Sequence, residues 1–249
     1  MGKSYTKEYE IHYYEVDYKL KCKLTAMIDF ISDVATQQAE LLNVGIDYLN
    51  ENNCSWVFYK YDINIYRYPS FGERVSITTE PAGLRTFYGP RKYIIKDSNN
   101  NLIGEATALF FLINTERRRP MRVPEYFYNV YEVDKNIKYE IDTEKLNRVN
   151  EKDYEKEFNI RYSDIDSNQH VNNGKYVEWA IEAVPIEVVT GYEIRNIKVV
   201  FEKETTYGNK IVASATVKKV NDNKLKSYHT IEASDGLELT LIEIEWERC

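Results

Sequence analysis

The order of landmarks in this 249-residue chain is written twice, and that duplication limits the fold more than any other feature. Residues 56–66, WVFYKYDINIY, are aromatic and β-branched, as a strand requires. They lead through a turn to Phe71-Gly72-Glu73-Arg74-Val75. Val199–Glu202 leads in the same way to Tyr207-Gly208-Asn209-Lys210-Ile211, so the aromatic–Gly pair recurs at an offset of 136. SNNNL at 98–102 and ASDGL at 233–237 each separate two apolar strands, at an offset of about 135. Thr107–Ile113 and Leu239–Trp246 then close their modules. Turns rich in Asn, Asp and Gly join such strands as antiparallel meanders.

One helical pattern precedes each meander. Leu24, Met27, Ile28, Ile31, Val34, Ala35 and Leu42 recur at helical spacing, with Thr25 as the expected N-cap and Gly45 as the stop. In the second half Asn172 or Asn173 caps a helix through Val184, and Pro185 ends it. Its apolar positions are Tyr176, Trp179, Ala180, Ala183 and Val184. A helix lying on an antiparallel sheet, twice over, is an α+β architecture. The charged stretch around 114–158, with Pro120 and Pro124, reads as a connection. The expected modules are 1–125 and 158–249, with a linker over 126–157.

Composition narrows the classes. Hydrophobic residues make up 43% of the chain, enough for a packed core, which excludes a disordered chain. Lys plus Arg is 33 against 40 for Asp plus Glu, a net charge of −7 that argues against bulk nucleic-acid binding. Arg117, Arg118, Arg119 and Arg122 nevertheless form a local basic cluster, readable either as a solvated linker or as a dock for an acidic partner. Cys22, Cys54 and Cys249 show no C-x-x-C pairing, so neither a disulfide framework nor a zinc site is expected, and a reducing compartment fits. Apolar runs such as Ala108–Ile113 are too short for a bilayer span, and the N-terminus has no secretory h-region; a cytoplasmic location is expected. No phosphate-loop, dinucleotide or metal-ligand spacing occurs, so no cofactor and no metal are expected.

The richest stretch for chemistry is Asp164-Ile-Asp-Ser-Asn-Gln-His-Val-Asn-Asn173. It gathers carboxylates, amides and a His just before a helix, where unpaired backbone N–H groups and the helix dipole favour developing negative charge. His170 can act as acid or base near neutral pH, and Asn168 can polarise a carbonyl or orient water. A plainer reading stands beside this one: Asp and Asn build a turn and cap the helix. Glu204 falls at a strand end 34 residues after His170, where a carboxylate can activate water or fix a His tautomer; its plain reading is an exposed turn residue. Aligning Asp17 with Asp164, an offset of 147, sets Asp166, Asn168 and His170 opposite Lys19, Lys21 and Lys23. The offset of 136 sets Glu204 opposite Tyr68. By that alignment the first module lacks every reacting group, and one site per chain is expected, in the second module.

Asp166-Ser-Asn168-Gln-His170-Val-Asn-Asn173, followed by Lys175-Tyr176, Trp179, Glu182 and Val184-Pro185, resembles the acyl-ACP thioesterase family. The resemblance extends to Glu204, to Trp56 and Arg67-Tyr68-Pro69, and to Arg118-Pro120-Arg122-Pro124, covering about Tyr9 to Trp246. It implies a tandem double hotdog, each module a sheet wrapped on one helix. It implies hydrolysis of fatty acyl-ACP, with Asp166, Asn168, His170 and Glu204 as the catalytic set and the acyl chain held by the first module. Acyl carrier protein (ACP) would be the partner, met through the arginine cluster; a homodimer of the whole chain stays open. Plant members typically carry Cys after the equivalent glutamate, whereas Thr205 stands here, a poor substitute for a thiolate. Glu204 with water is the preferred alternative. The absence of a plant-type transit extension suggests a bacterial-type enzyme. The competing readings are an acyl-CoA thioesterase, a non-catalytic acyl-binding hotdog protein and a hotdog dehydratase.

Overall fold

Leu24, Met27, Ile28, Ile31 and Val34 are all buried, and this single apolar stripe is why residues 24–41 wind into a helix. A computed structural model describes residues 2–136 and 145–249. The chain divides into two units, Met1–Thr143 and Glu144–Cys249.

The first unit runs β1 (Tyr5–Glu10), a 3₁₀ turn (Tyr13–Glu15), α1 (Leu24–Leu41), α2 (Ile46–Glu51), β2 (Cys54–Ile65), β3 (Arg74–Pro81), β4 (Tyr88–Asp97), β5 (Leu102–Asn114), β6 (Arg119–Pro120) and α3 (Glu125–Val130). Its antiparallel sheet has the order β1-β3-β4-β5-β2, with β6 added to β5. α1 lies against β1 and β3. The helix begins directly after Lys23, which offers no side-chain cap, and not at the expected Thr25. Gly45 is not the stop of α1 but the N-cap of α2. A Cβ at Gly45 would come within 2.2 Å of the Glu40 carboxyl group, whose Oε1 accepts the Ile46 N–H at 2.8 Å.

The second unit runs β7 (Tyr154–Asn159), a 3₁₀ turn (Tyr162–Asp164), α4 (Asn173–Glu182), α5 (Ile186–Gly191), β8 (Tyr192–Phe201), β9 (Lys210–Lys219), β10 (Lys224–Ala233) and β11 (Glu238–Arg248). Its sheet order is β8-β11-β10-β9-β7, again antiparallel. α4 crosses β9, β10 and β11. Asn172 caps it as expected, its Oδ1 accepting the Gly174 N–H at 2.8 Å.

Two expectations are revised. Each unit opens with a strand and a 3₁₀ turn, and these fix the alignment of the halves. Tyr13–Glu15 corresponds to Tyr162–Asp164, the bridge Val16↔Cys22 to Ile165↔Val171, and Leu24 to Asn173, all at an offset of 149. The offset of 147 was set by the wrong aspartate. Asp166 therefore faces Asp17, Asn168 faces Lys19, and His170 faces Lys21. The stretch 126–157 is also less of a linker than its charge suggested. Phe127 is 0% exposed in α3 and packs with Leu84, Leu112, Val123 and Tyr131. Further on, Asn147 binds Glu243 through its N–H (2.9 Å) and its side chain (2.8 Å), and 154–159 is β7. Residues 137–144 lie outside the described residues. Among the described residues, no helix is long and apolar enough to cross a membrane.

His229 on β10 is fully buried, with Nε2 2.7 Å from Ser227 Oγ. Trp246 Nε1–H donates to the same Oγ at 2.8 Å. Burial pushes the ring's pKa down to about 3. An unfolded His titrates near 6.5, so below that pH the unfolded chain takes up a proton that the folded chain refuses. Stability from this group is complete above pH 6.5 and is lost as pH falls toward 3. By pH 4 the loss is about 3 kcal/mol. In urea unfolding at pH 7.5 and pH 4, His229→Leu should show a drop smaller than wild type by that amount. An equal drop in both proteins would refute this role.

Candidate active site

The site begins as a turn that one aspartate builds. Asp166 Oδ1 accepts the N–H of Asn168 at 2.8 Å and of His170 at 3.3 Å, and the Asp166 N–H donates to the His170 carbonyl at 2.8 Å. Gln169 takes a left-handed conformation, φ +65°, to close the turn. The first unit makes the same turn: Asp17 Oδ1 accepts Lys19 N–H (2.8 Å) and Lys21 N–H (3.0 Å), and Leu20 has φ +58°. An aspartate present in both units does the work that both need, which is folding the turn. Contrary to the alignment above, the first unit thus keeps one of the four candidates.

Asp164 anchors the turn from below. Its side chain is fully buried and accepts from Arg161 N–H (2.8 Å), Nε (3.1 Å) and a second guanidinium nitrogen (2.8 Å). Burial raises its carboxyl pKa, but these bonds outweigh burial and hold it below the usual range. Its carbonyl accepts the Asn172 N–H at 2.8 Å.

The segment after β8 is tied to this turn. Val171 N–H donates to the Thr205 carbonyl at 3.0 Å, and Thr206 Oγ1 donates to the Gln169 carbonyl at 2.9 Å. These ties deliver Glu204. Its Oε2 lies 3.0 Å from His170 Nε2, and the two side chains are 40% and 34% exposed. The couple is open enough for water to reach it. Asn168 is exposed in the same turn, two residues from His170. The structure therefore brings His170 and Glu204 into contact, while Asn168 and Asp166 belong to the same turn as His170.

One expectation about a neighbouring group changes. The start of α4 offers fewer oxyanion donors than a bare helix start. The N–H groups of Asn172 and Gly174 go to Asp164 O and Asn172 Oδ1, and the Lys175 N–H bonds the Asn172 carbonyl at 2.9 Å. Thr205 is buried and serves as a fastener. Its hydroxyl accepts Asn209 Nδ2 at 3.2 Å while its backbone holds Val171.

By its spacing Tyr176 is an apolar position of α4. It is 2% exposed, and its ring meets Trp179 and Phe201 edge-on at 5.5 and 5.7 Å. Burial raises the phenol pKa, the Thr205 N–H opposes this, and the charges of Glu204 and Asp166 raise it further, so the phenol stays protonated beside the carboxylates. The available signal was a hydroxyl in an apolar stripe where the first unit has Met27.

A His–carboxylate couple open to water can activate it and manage a proton. Among the described residues, no group of three or more His, Cys, Asp or Glu is placed to hold a metal ion.

Residues 2–131 match the family model of the acyl-ACP thioesterase N-terminal domain, and residues 147–248 match that of the C-terminal domain. The chain is 24% identical over 260 residues to the chloroplastic palmitoyl-acyl carrier protein thioesterase of Cuphea hookeriana, covering 98% of this chain and 62% of that protein. It is 24% identical over 292 residues to the chloroplastic oleoyl-acyl carrier protein thioesterase of Coriandrum sativum, covering 99% and 78%. The chain thus spans less than two thirds of the first relative. Among solved structures, the 12:0-ACP thioesterase from Umbellularia californica aligns with a TM-score of 0.87 at 23% identity, over 99% of this chain and 94% of that one. An acyl-ACP thioesterase from Bacteroides thetaiotaomicron aligns at 0.83 and 22%, over 98% of each chain. At these identities the likeness carries the fold: hotdog-type modules of α+β class in tandem, as the resemblance implied.

Proposed function

The chain belongs to the acyl-ACP thioesterase family, and on that premise we propose that it hydrolyses fatty acyl-ACP to free fatty acid and ACP. The observation that carries the reading is the 3.0 Å contact between His170 Nε2 and Glu204 Oε2 in a turn shaped by Asp166. Water held at this couple attacks the thioester carbonyl. Glu204 and His170 take up its proton, the C–S bond breaks as the C–O bond forms, and the departing thiolate receives a proton back. Asn168 steadies the carbonyl oxygen, worth up to roughly 10²–10³ in rate for one such donor. Asp166 is the positioning group. The first unit, with Lys19, Lys21 and Tyr68 in the corresponding places, is assigned to binding the acyl chain.

Incubation with a ladder of acyl-ACPs and the matching acyl-CoAs, followed by fatty-acid analysis, tests the reading. Free acid from acyl-ACP supports it. Release from acyl-CoA alone points to the other carrier, binding without release to an acyl-binding protein, and an enoyl product to a dehydratase.

The arginine cluster is proposed as the ACP dock. Arg117, Arg119 and Arg122 are exposed, in and just after the turn joining β5 and β6. Charge reversal at Arg119 and Arg122 should lower kcat/KM at low salt by about tenfold and flatten its salt dependence, since rim charges act mainly on association. An unchanged salt profile would remove the cluster from the interface.

A further inference from the structure

The loop that carries the candidate reacting side chains in the second unit carries a different set in the first. At the offset of 149, Ser167, Asn168, Gln169 and His170 stand opposite Tyr18, Lys19, Leu20 and Lys21. Asp17 folds this turn as Asp166 folds its twin, so the backbone is kept while its surface changes. The changed surface is apolar and bare. Tyr18 is 72% exposed and Leu20 48%, both in the turn. Tyr13 (74%) and Phe71 (53%) continue it: their rings meet edge-on at 6.2 Å, and the Phe71 N–H donates to the Leu20 carbonyl at 2.9 Å. Four large side chains facing water on three adjoining segments form a contiguous patch, which a soluble surface seldom leaves without a use. Folding does not require it, since the second unit makes the same turn with Ser167 and Gln169.

Charge states what the patch meets. Lys19, Lys21 and Lys23 alternate along the loop. Lys19 and Lys23 are exposed; the Lys19 ammonium lies 5.7 Å from the centre of the Tyr18 ring, and Lys23 Nζ donates to the Tyr14 carbonyl at 2.9 Å. The carboxylates of these segments are occupied. Asp17 accepts the N–H groups of its own turn, Glu15 accepts the His12 N–H at 2.7 Å with its side chain mostly covered, and Glu73 is paired with Arg67 at 2.9 Å. Tyr14 is not part of the patch: it stacks on His12 at 5.4 Å and borders a groove lined by Glu8, Glu10 and Asp29.

Aromatic rings ringed by lysines match the headgroup layer of an anionic bilayer. The rings enter to the depth of the acyl boundary, and the ammonium groups stay with the phosphates. These side chains stand on turns, Phe71 beside Gly72 with φ +76°, and turns can meet a plane, whereas a protein partner needs a pocket for its anchor residues. We propose that Tyr13, Tyr18, Leu20 and Phe71, with the lysines around them, dock the first unit onto an anionic lipid surface. The docking is independent of the acyl-ACP reading, and either can fail without the other.

Flotation of the full chain with vesicles of phosphatidylcholine, alone or mixed with phosphatidylglycerol, at low and high salt tests this, with urea unfolding of each variant as the check on folding. The wild type should float with the mixed vesicles at low salt and be released at high salt. Tyr18→Ser/Leu20→Asn/Phe71→Ser should cut partitioning at least about tenfold and unfold at the same urea concentration as wild type. Asparagine suits position 20, where φ is +58°. Lys19→Glu/Lys23→Glu should cut partitioning about tenfold and flatten its salt dependence, and it keeps the test standing should the apolar variant fold poorly. Tyr162→Ser, which removes an exposed ring from the second unit, should float like wild type. A wild type that stays off every vesicle, or patch variants that float as it does, would overturn the proposal. So would self-association or ACP binding that the patch variants abolish, in a wild type that does not float.

Discussion

Glu204→Gln and His170→Ala are each expected to lower kcat on acyl-ACP by about 10²–10⁴ with little change in KM. Glutamine keeps the shape of Glu204 and an oxygen to face His170, but it cannot take a proton. Alanine at 170 leaves the carboxylate without its 3.0 Å partner. Neither change touches the Asp166 turn, which is held by backbone N–H groups, so the loop should keep its form. The lost interactions belong to the transition state, which is why kcat falls and KM holds. If the two groups act as one couple, the double variant should cost little more than the worse single. Steady-state kinetics on one acyl-ACP decide the matter, and full turnover by Glu204→Gln would end the assignment.

Phe127→Ala should destabilise the protein by about 3–5 kcal/mol. The ring is fully buried and meets Tyr48 and Trp56 edge-on at 5.8 and 5.7 Å and stacks on Tyr131 at 6.2 Å. Truncation opens a cavity between groups that cannot all collapse into it. Urea unfolding gives the number. A loss below about 1 kcal/mol, the scale of a surface change, would mean that α3 is a connector after all.

Legibility in the sequence followed the physics of each element. The duplicated meanders were readable because tight turns demand Asn, Asp and Gly, and these residues recur in order. The start of α4 was readable because Asn172 caps it with its own side chain; the start of α1 was not, because Lys23 caps nothing. β1 and β7 escaped notice because YTKEYE and YEKEFN are charged edge strands with little apolar alternation. α3 was hidden by the charge around it. The halves were misaligned by two residues because Asp164 and Asp166 are both plausible matches to Asp17, and it takes the 3₁₀ turns and the bridge Ile165↔Val171 to distinguish them. His170, Asn168 and Glu204 were legible as residue types in a motif.

The twinned aspartate turn gives the molecule an internal reference for mutational drift. Damage at Asp17 weakens a scaffold whose loop carries no reacting side chains, whereas the same damage at Asp166 unseats the His170 backbone it grips. On the proposed assignment, the first copy answers to folding, and the second to turnover as well.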